Sequence, residues 1–301
     1  MSEKTMLGFV WASVAGVLLA IPGVYGEPPA KFGFKVIDRT PMTDTNVYPE
    51  GTVRINYRSA VDGKTDWALY RQGDTAKNAI VYLHGSFSHA DQLFTRKDIR
   101  DFWLTRILKG GFPLLAINMR NTSYMSPAAA KDFTDLLNDC RRQYGVKGFV
   151  LLGGSGGASS AMAYACLEPK QVAGVIAMGM CDIHARLDFA RKSELPVLQN
   201  LAKTVFAAYG GTPEELPEVY RQRSALANAD KLNMPIVLTM GGKDALIPVT
   251  ETRKVVEKLK SNPHFQYIEI PGGNHDAALW VDVDLEALAV KKPNHFGETA
   301  Q

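Results

Sequence analysis

The stretch that decides the reading is Gly148–Leu167, GFVLLGGSGGASSAMAYACL. Gly148–Leu152 is a short apolar run of strand length, and Ala158–Leu167 reads as a helix full of small residues. Between them stands Gly153-Gly154-Ser155-Gly156-Gly157, a G-x-S-x-G sequence in a strand–turn–helix setting. A serine on so sharp a turn holds a strained backbone, and neighbouring Cβ atoms would collide, which glycine avoids. It also stands at the start of a helix, whose free N–H groups can stabilise a developing oxyanion. A phosphate-binding loop fits the stretch badly. Read from Gly154, Ser159 takes the place of the third glycine of G-x-G-x-x-G, and no G-K-[ST] follows. Ser155 is the candidate nucleophile.

Outward from this turn the chain alternates. Ala79–Leu83, Pro113–Asn118, Val172–Met178, Ile236–Met240 and Phe265–Ile270 read as buried strands. Asp98–Leu108, Ala128–Tyr144, Glu251–Lys260 and Ala277–Ala289 read as helices. Such alternation predicts an α/β fold, a mostly parallel sheet with helices on both faces. Ahead of it, Thr52–Ser59 and Thr65–Tyr70 predict a hairpin around an Asp-Gly turn, and Glu27–Pro49 reads as an irregular lead-in. Asp182–Asn233 holds helical stretches and three prolines but no good strand, so it reads as a small helical cap over the sheet's carboxyl edge. Residues 27–301 are read as one domain carrying this insertion.

A nucleophilic serine needs a base, and the base an orienting acid. Of the histidines, His275 follows the last expected strand in Pro271-Gly272-Gly273-Asn274-His275-Asp276, where a loop can carry an imidazole over the neighbouring turn. His184, in the insertion, is the runner-up. Asp244 follows Ile236–Met240 in Gly241-Gly242-Lys243-Asp244, which makes the chain order Ser, Asp, His; Asp182 is its main rival. The oxyanion donors expected are the N–H of Gly156 and an N–H from the loop His84-Gly85-Ser86-Phe87, with Ser86 the candidate and Phe87 possible. His84 is expected to brace that loop. Phe189, Phe206, Tyr209 and Tyr220 are assigned to the packing of the cap rather than to an acyl site.

Taken in order, His84-Gly85, Gly153–Gly157, Gly242-Lys243-Asp244 with Ile247-Pro248, and Gly273-Asn274-His275 make the chain resemble the α/β-hydrolase superfamily. Tyr220–Pro248 and the hairpin INYRSAVDGKTDWALY are similar to the catalytic domain of the prolyl-oligopeptidase group of serine peptidases, family S9. The sequence departs from that group at Gly154, at Ser224-Ala225 and at Met119-Arg120-Asn121-Thr122-Ser123. The resemblance implies a serine hydrolase acting through an acyl-enzyme on a small ester or, as the alternative, a short peptide. It implies no cofactor and no metal. A third alternative is a binding protein that keeps the turn without turnover.

The N-terminus carries a separate expectation. Met6–Ile21 is an uncharged run of 16 residues behind Lys4, followed by small residues up to Gly26. These are the parts of a secretory signal comprising residues 1–26. The alternative is an uncleaved membrane anchor, although the run is short of the roughly 20 residues of a spanning helix. The chain is thus expected to be secreted or periplasmic, or anchored. Lys and Arg number 34 against 31 Asp and Glu, too balanced for a dedicated nucleic-acid binder. The three cysteines, Cys140, Cys166 and Cys181, lack C-x-x-C spacing and read as buried thiols. The sequence leaves the oligomeric state open.

Overall fold

The computed structural model describes residues 32–290, so the expected signal or anchor segment lies outside the described residues. The sheet has nine strands in the order β1-β2-β3-β5-β4-β6-β7-β8-β9. They are β1 Lys35–Pro41, β2 Thr52–Arg58, β3 Thr65–Arg71, β4 Ala79–Leu83, β5 Leu114–Ile117, β6 Phe149–Gly154, β7 Val172–Met178, β8 Ile236–Gly241 and β9 Phe265–Ile270. From β5 through β9 every pairing is parallel, while β1, β2 and β3 join antiparallel at one edge. The helices that matter here are α1 Pro127–Tyr144, α2 Gly156–Leu167, α3 Ile183–Lys192, α4 Pro196–Tyr209, α5 Pro217–Arg221 and α6 Val249–Leu259. The α/β architecture is the one the alternation predicts.

The parallel strands are apolar because both their faces are covered. All five residues of β4 are buried. On one face Leu151 and Leu83 join Phe133, Leu136 and Tyr164. On the other Leu152 and Ile176 join Trp103, Ile107 and Phe112. Helix α2 is buried almost all round, which explains its run of Ala, Ser and Gly.

The chain leaves β4 toward β5 on one side and leaves β6 toward β7 on the other. Neighbouring strands whose connections diverge open a crevice at their carboxyl ends, where ligands of such folds bind. The loops carrying Ser86 and Ser155 both start at this switch point.

Three expectations need correction. The lead-in is not wholly irregular, because Lys35–Pro41 pairs with β2 as an edge strand with a bulge between Val36 and Asp38. It is mostly exposed, so the alternation that marks a half-buried strand is missing, and charge and Pro41 suit an edge. The helix expected over Asp98–Leu108 is broken into short turns, with Arg100–Leu104 wound as a π-helix. The helix expected over Ala277–Ala289 splits into a 3₁₀ turn, Asp276–Trp280, and Leu285–Val290. Here tertiary bonds displace helical ones: Ala278 O accepts from Thr239 Oγ1 at 2.7 Å and Leu279 O from Trp103 Nε1 at 2.9 Å.

The insertion contributes no strand and packs as a cap. Leu187, Leu198, Leu201, Tyr209 and Tyr220 form its small core, with Phe189 and Phe206 packed against it. That is the packing role expected for the aromatics. The three cysteines are free and buried, and burial pushes the Cys181 thiol up to about 12. Among the described residues no helix is long and apolar enough to cross a membrane, and no cluster of metal-ligating side chains occurs.

Candidate active site

Ser155 sits between β6 and α2 with φ 55° and ψ −116°, a conformation an L-residue adopts only under strain. Its N–H donates to Met178 O at 2.7 Å and its carbonyl accepts from Ser159 N–H at 3.0 Å, which hold the turn shut. The flanking glycines have steric reasons. A Cβ on Gly153 would overlap the Gly157 backbone, one on Gly157 would overlap the Leu83 carbonyl, and one on Gly156 would strike Ser86 and Tyr124.

His275 and Asp244 come together from loops after β9 and β8. His275 Nδ1 lies 2.7 Å from Asp244 Oδ2, and the Asp244 side chain is fully buried. Asp244 Oδ1 accepts from the N–H groups of Leu246 at 2.7 Å and Ile247 at 2.9 Å. The carboxylate is therefore fixed on both oxygens, and the imidazole presents Nε2 away from it. Ser155 and His275 line the same cavity, of about 230 Å³. The rival acid does something else. Asp182 caps α3 through His184 N–H at 3.1 Å and holds Ser224 Oγ at 2.6 Å and Leu226 N–H at 3.2 Å. His184 itself stands in α3, its ring edge-on to Tyr220 in the cap.

The loop after β4 lies against the serine turn. Phe87 N–H donates to Thr122 Oγ1 at 2.7 Å, whereas among the described residues no acceptor takes the Ser86 N–H. A Cβ on Gly156 would lie 2.8 Å from Ser86 N, so the two candidate N–H donors are neighbours. His84 braces the loop, its ring nitrogens 2.8 Å from the carbonyl oxygens of Gly85 and Asn118. Burial lowers its pKa from the ordinary histidine value, outweighing those carbonyls.

Several site residues escaped the sequence reading. Tyr124 OH lies 3.0 Å from Ser86 Oγ. Tyr124 belongs to a loop in which Met119, Arg120, Asn121, Tyr124 and Met125 all have positive φ. Glycine is the usual sign of such backbone, and here there is none to read. Gln92 fixes the loop after β4, its Oε1 accepting from Gly85 N–H at 2.9 Å and Tyr82 OH at 2.8 Å. Val197, Leu198 and Leu201 of α4 and Arg186 of α3 form the cavity's roof. Only the folded cap shows which of its residues face the serine.

The family profile described as "alpha/beta hydrolase fold" matches residues 78–215. Esterase LipC of Mycobacterium tuberculosis is 33% identical over 66 residues, covering 21% of this chain and 16% of that protein. The uncharacterized peptidase YtmA of Bacillus subtilis is 32% identical over 62 residues, covering 21% of this chain and 24% of that protein. The matches thus span a quarter or less of these curated relatives. Among solved structures, the Pyrococcus furiosus esterase Pf2001 superposes with a TM-score of 0.58 at 16% identity, covering 85% of this chain and 93% of that one. With this sheet order, its sharp turn at the switch point and these likenesses, the chain has the α/β-hydrolase fold.

Proposed function

We propose that the protein is a serine esterase that cleaves small carboxylic esters through an acyl-enzyme. Ser155 Oγ attacks the acyl carbon while His275 Nε2 takes its proton. Asp244, on Nδ1, keeps the imidazole in the tautomer that leaves Nε2 unprotonated and stabilises the imidazolium that forms. The Ser86 and Gly156 N–H groups hold the oxyanion, each such donor worth about 10²–10³ in rate. The tetrahedral adduct collapses, His275 returns the proton to the leaving alcohol, and water then repeats the sequence on the acyl-enzyme. No step needs a metal or cofactor.

The observation that carries this reading is the doubly fixed Asp244 against His275 Nδ1 at 2.7 Å, in one cavity with a serine of strained backbone. The likeness to a curated esterase supports an ester substrate, and the likeness to a peptidase keeps a short peptide as the second reading. Export through residues 1–26 is proposed with it, on the uncharged run and the small residues that follow. N-terminal sequencing of the protein recovered from culture medium or periplasm checks that part.

The test of the chemistry is a fluorophosphonate probe with mass-spectrometric location of the adduct. One adduct on Ser155, lost in His275→Ala, is expected. Folded protein without an adduct would replace the esterase with a binding protein of the same fold.

A further inference from the structure

Ester hydrolysis gives the cavity residue Arg186 no task. Arg186 of α3 lines the cavity that holds Ser155 and is 3% exposed. Its Nη1 donates to Leu246 O at 2.9 Å, and its Nε is buried with no acceptor. Guanidinium groups in proteins stay charged, and buried charges are almost always paired. Neighbouring carboxylates are engaged elsewhere, and Asp188 is held by Arg191 and Lys192. Asp182 turns its oxygens to His184, Ser224 and Leu226, and Asp244 turns its own to Leu246, Ile247 and His275. The contrast within the cavity is direct, because Arg96 in the same wall is closed off by Asp98 through bonds of 2.8 and 2.7 Å. Much of the remaining wall is apolar, with Ile99, Trp103, Leu198 and Leu201, so an anion reaching Arg186 meets a weakly screened charge.

We propose that Arg186 is a recognition site for an anionic group, a carboxylate, borne by the substrate beside the ester bond. This rests on the esterase reading of Ser155 and adds the substrate class to it. Arg186 Nε has no acceptor, and a carboxylate accepting from the guanidinium supplies the missing counter-charge. The charge also discriminates against a neutral substrate, which leaves Arg186 buried and unpaired after water is displaced.

The experiment compares kcat/KM for matched esters. With the anion on the acid part, the pair is the para-nitrophenyl monoester of adipic acid and para-nitrophenyl hexanoate. With the anion on the alcohol part, it is the butyrate of para-carboxyphenol and that of its methyl ester. In at least one pair the anionic ester is expected to be preferred about tenfold to a hundredfold over its uncatalysed ratio, the size of a charge-assisted bond. The pair that shows it places the anion. Arg186→Met is expected to abolish or invert that ratio, and Arg186→Lys to restore part of it. A parallel fall on both members of each pair, with the ratio unchanged, would overturn the proposal and leave Arg186 as a positioning residue for the Asp244 loop. Preference for the neutral ester in both pairs would overturn it too. If no ester is turned over, the esterase reading has failed and binding decides. Adipate, but not adipamide, is expected to raise the Tm of the Ser155→Ala protein, and Arg186→Met to remove that rise. No rise with adipate ends the proposal.

Discussion

All seven non-glycine residues of positive φ among the described residues stand in or behind the floor of the cavity: Phe87, Met119, Arg120, Asn121, Tyr124, Met125 and Ser155. The roof, from Asp182 to Asn233, has none, and its helices end conventionally, with Asp182 capping α3 and left-handed Gly210 closing α4. Each strained residue costs about 1–3 kcal/mol, so the floor persists only because its surroundings over-determine it. Those surroundings are polar. Arg120 takes Asp62 with both terminal nitrogens, at 2.9 and 2.8 Å, and Asp132 with Nε at 2.6 Å. Asp66 holds Arg120 N–H and Asn118 Nδ2, each at 2.7 Å. The loop so pinned presents Thr122 to Phe87 and Tyr124 to Ser86. The roof is held by apolar packing instead. The difference teaches that strained backbone is confined to the cavity floor and the loop that buttresses it, while the roof is an ordinary packed helical layer.

The largest expected break in this comparison comes from exchanging one aspartate in each region for its isostere. Asp244→Asn in the floor is expected to lower kcat by about 10⁴ with the fold kept, because the imidazole is then held in the wrong tautomer. Asp182→Asn in the roof is expected to spare the chemistry and cost about 1–3 kcal/mol of stability, since three donors lose a charged acceptor. Ester turnover and urea denaturation of both variants measure this. Equal loss of rate in both would erase the division between floor and roof.

Next in size is Arg120→Met. It leaves Asp132, with a side chain 2% exposed, as a buried charge without its cation, and the expected cost is about 3–5 kcal/mol. Because the strained loop relaxes, fluorophosphonate labelling of Ser155 should slow while the variant is still folded. Labelling at the original rate would show that the loop does not support the oxyanion side.

The smallest effect is a pH dependence that belongs to the floor. Burial holds the folded-state pKa of His84 below its ordinary value, so the unfolded chain takes up a proton there that the folded protein resists. Stability from this group is present above about pH 6.5 and falls as the pH drops through that value. Asp62, held well below the carboxylate range by its bonds to Arg120, adds a second loss below about pH 4. Thermal unfolding from pH 7 to pH 2 should show both steps, with His84→Gln lacking the first.

The placement of the serine turn and of the loops carrying Asp244 and His275 was largely legible in the sequence. Gly153, Gly156 and Gly157 are demanded by backbone contact, and Asp244 and His275 by loops that follow adjacent parallel strands. The buttress behind the floor was not legible. Met119–Met125 takes left-handed backbone without glycine, stabilised by Asp62, Asp66 and Asp132, far away in sequence. Lys35–Pro41 was missed as a strand since an exposed edge imposes no alternation.

By itself the sequence determined the alternation of strands and helices, the strained serine turn and the order of its partners, because each rests on local backbone sterics or on burial on both faces of a sheet. Only the tertiary structure decided which acid meets His275, which N–H stays open beside Gly156, and that Arg186 faces the cavity without a carboxylate. Those outcomes depend on distances between segments remote in sequence, and no local preference encodes them.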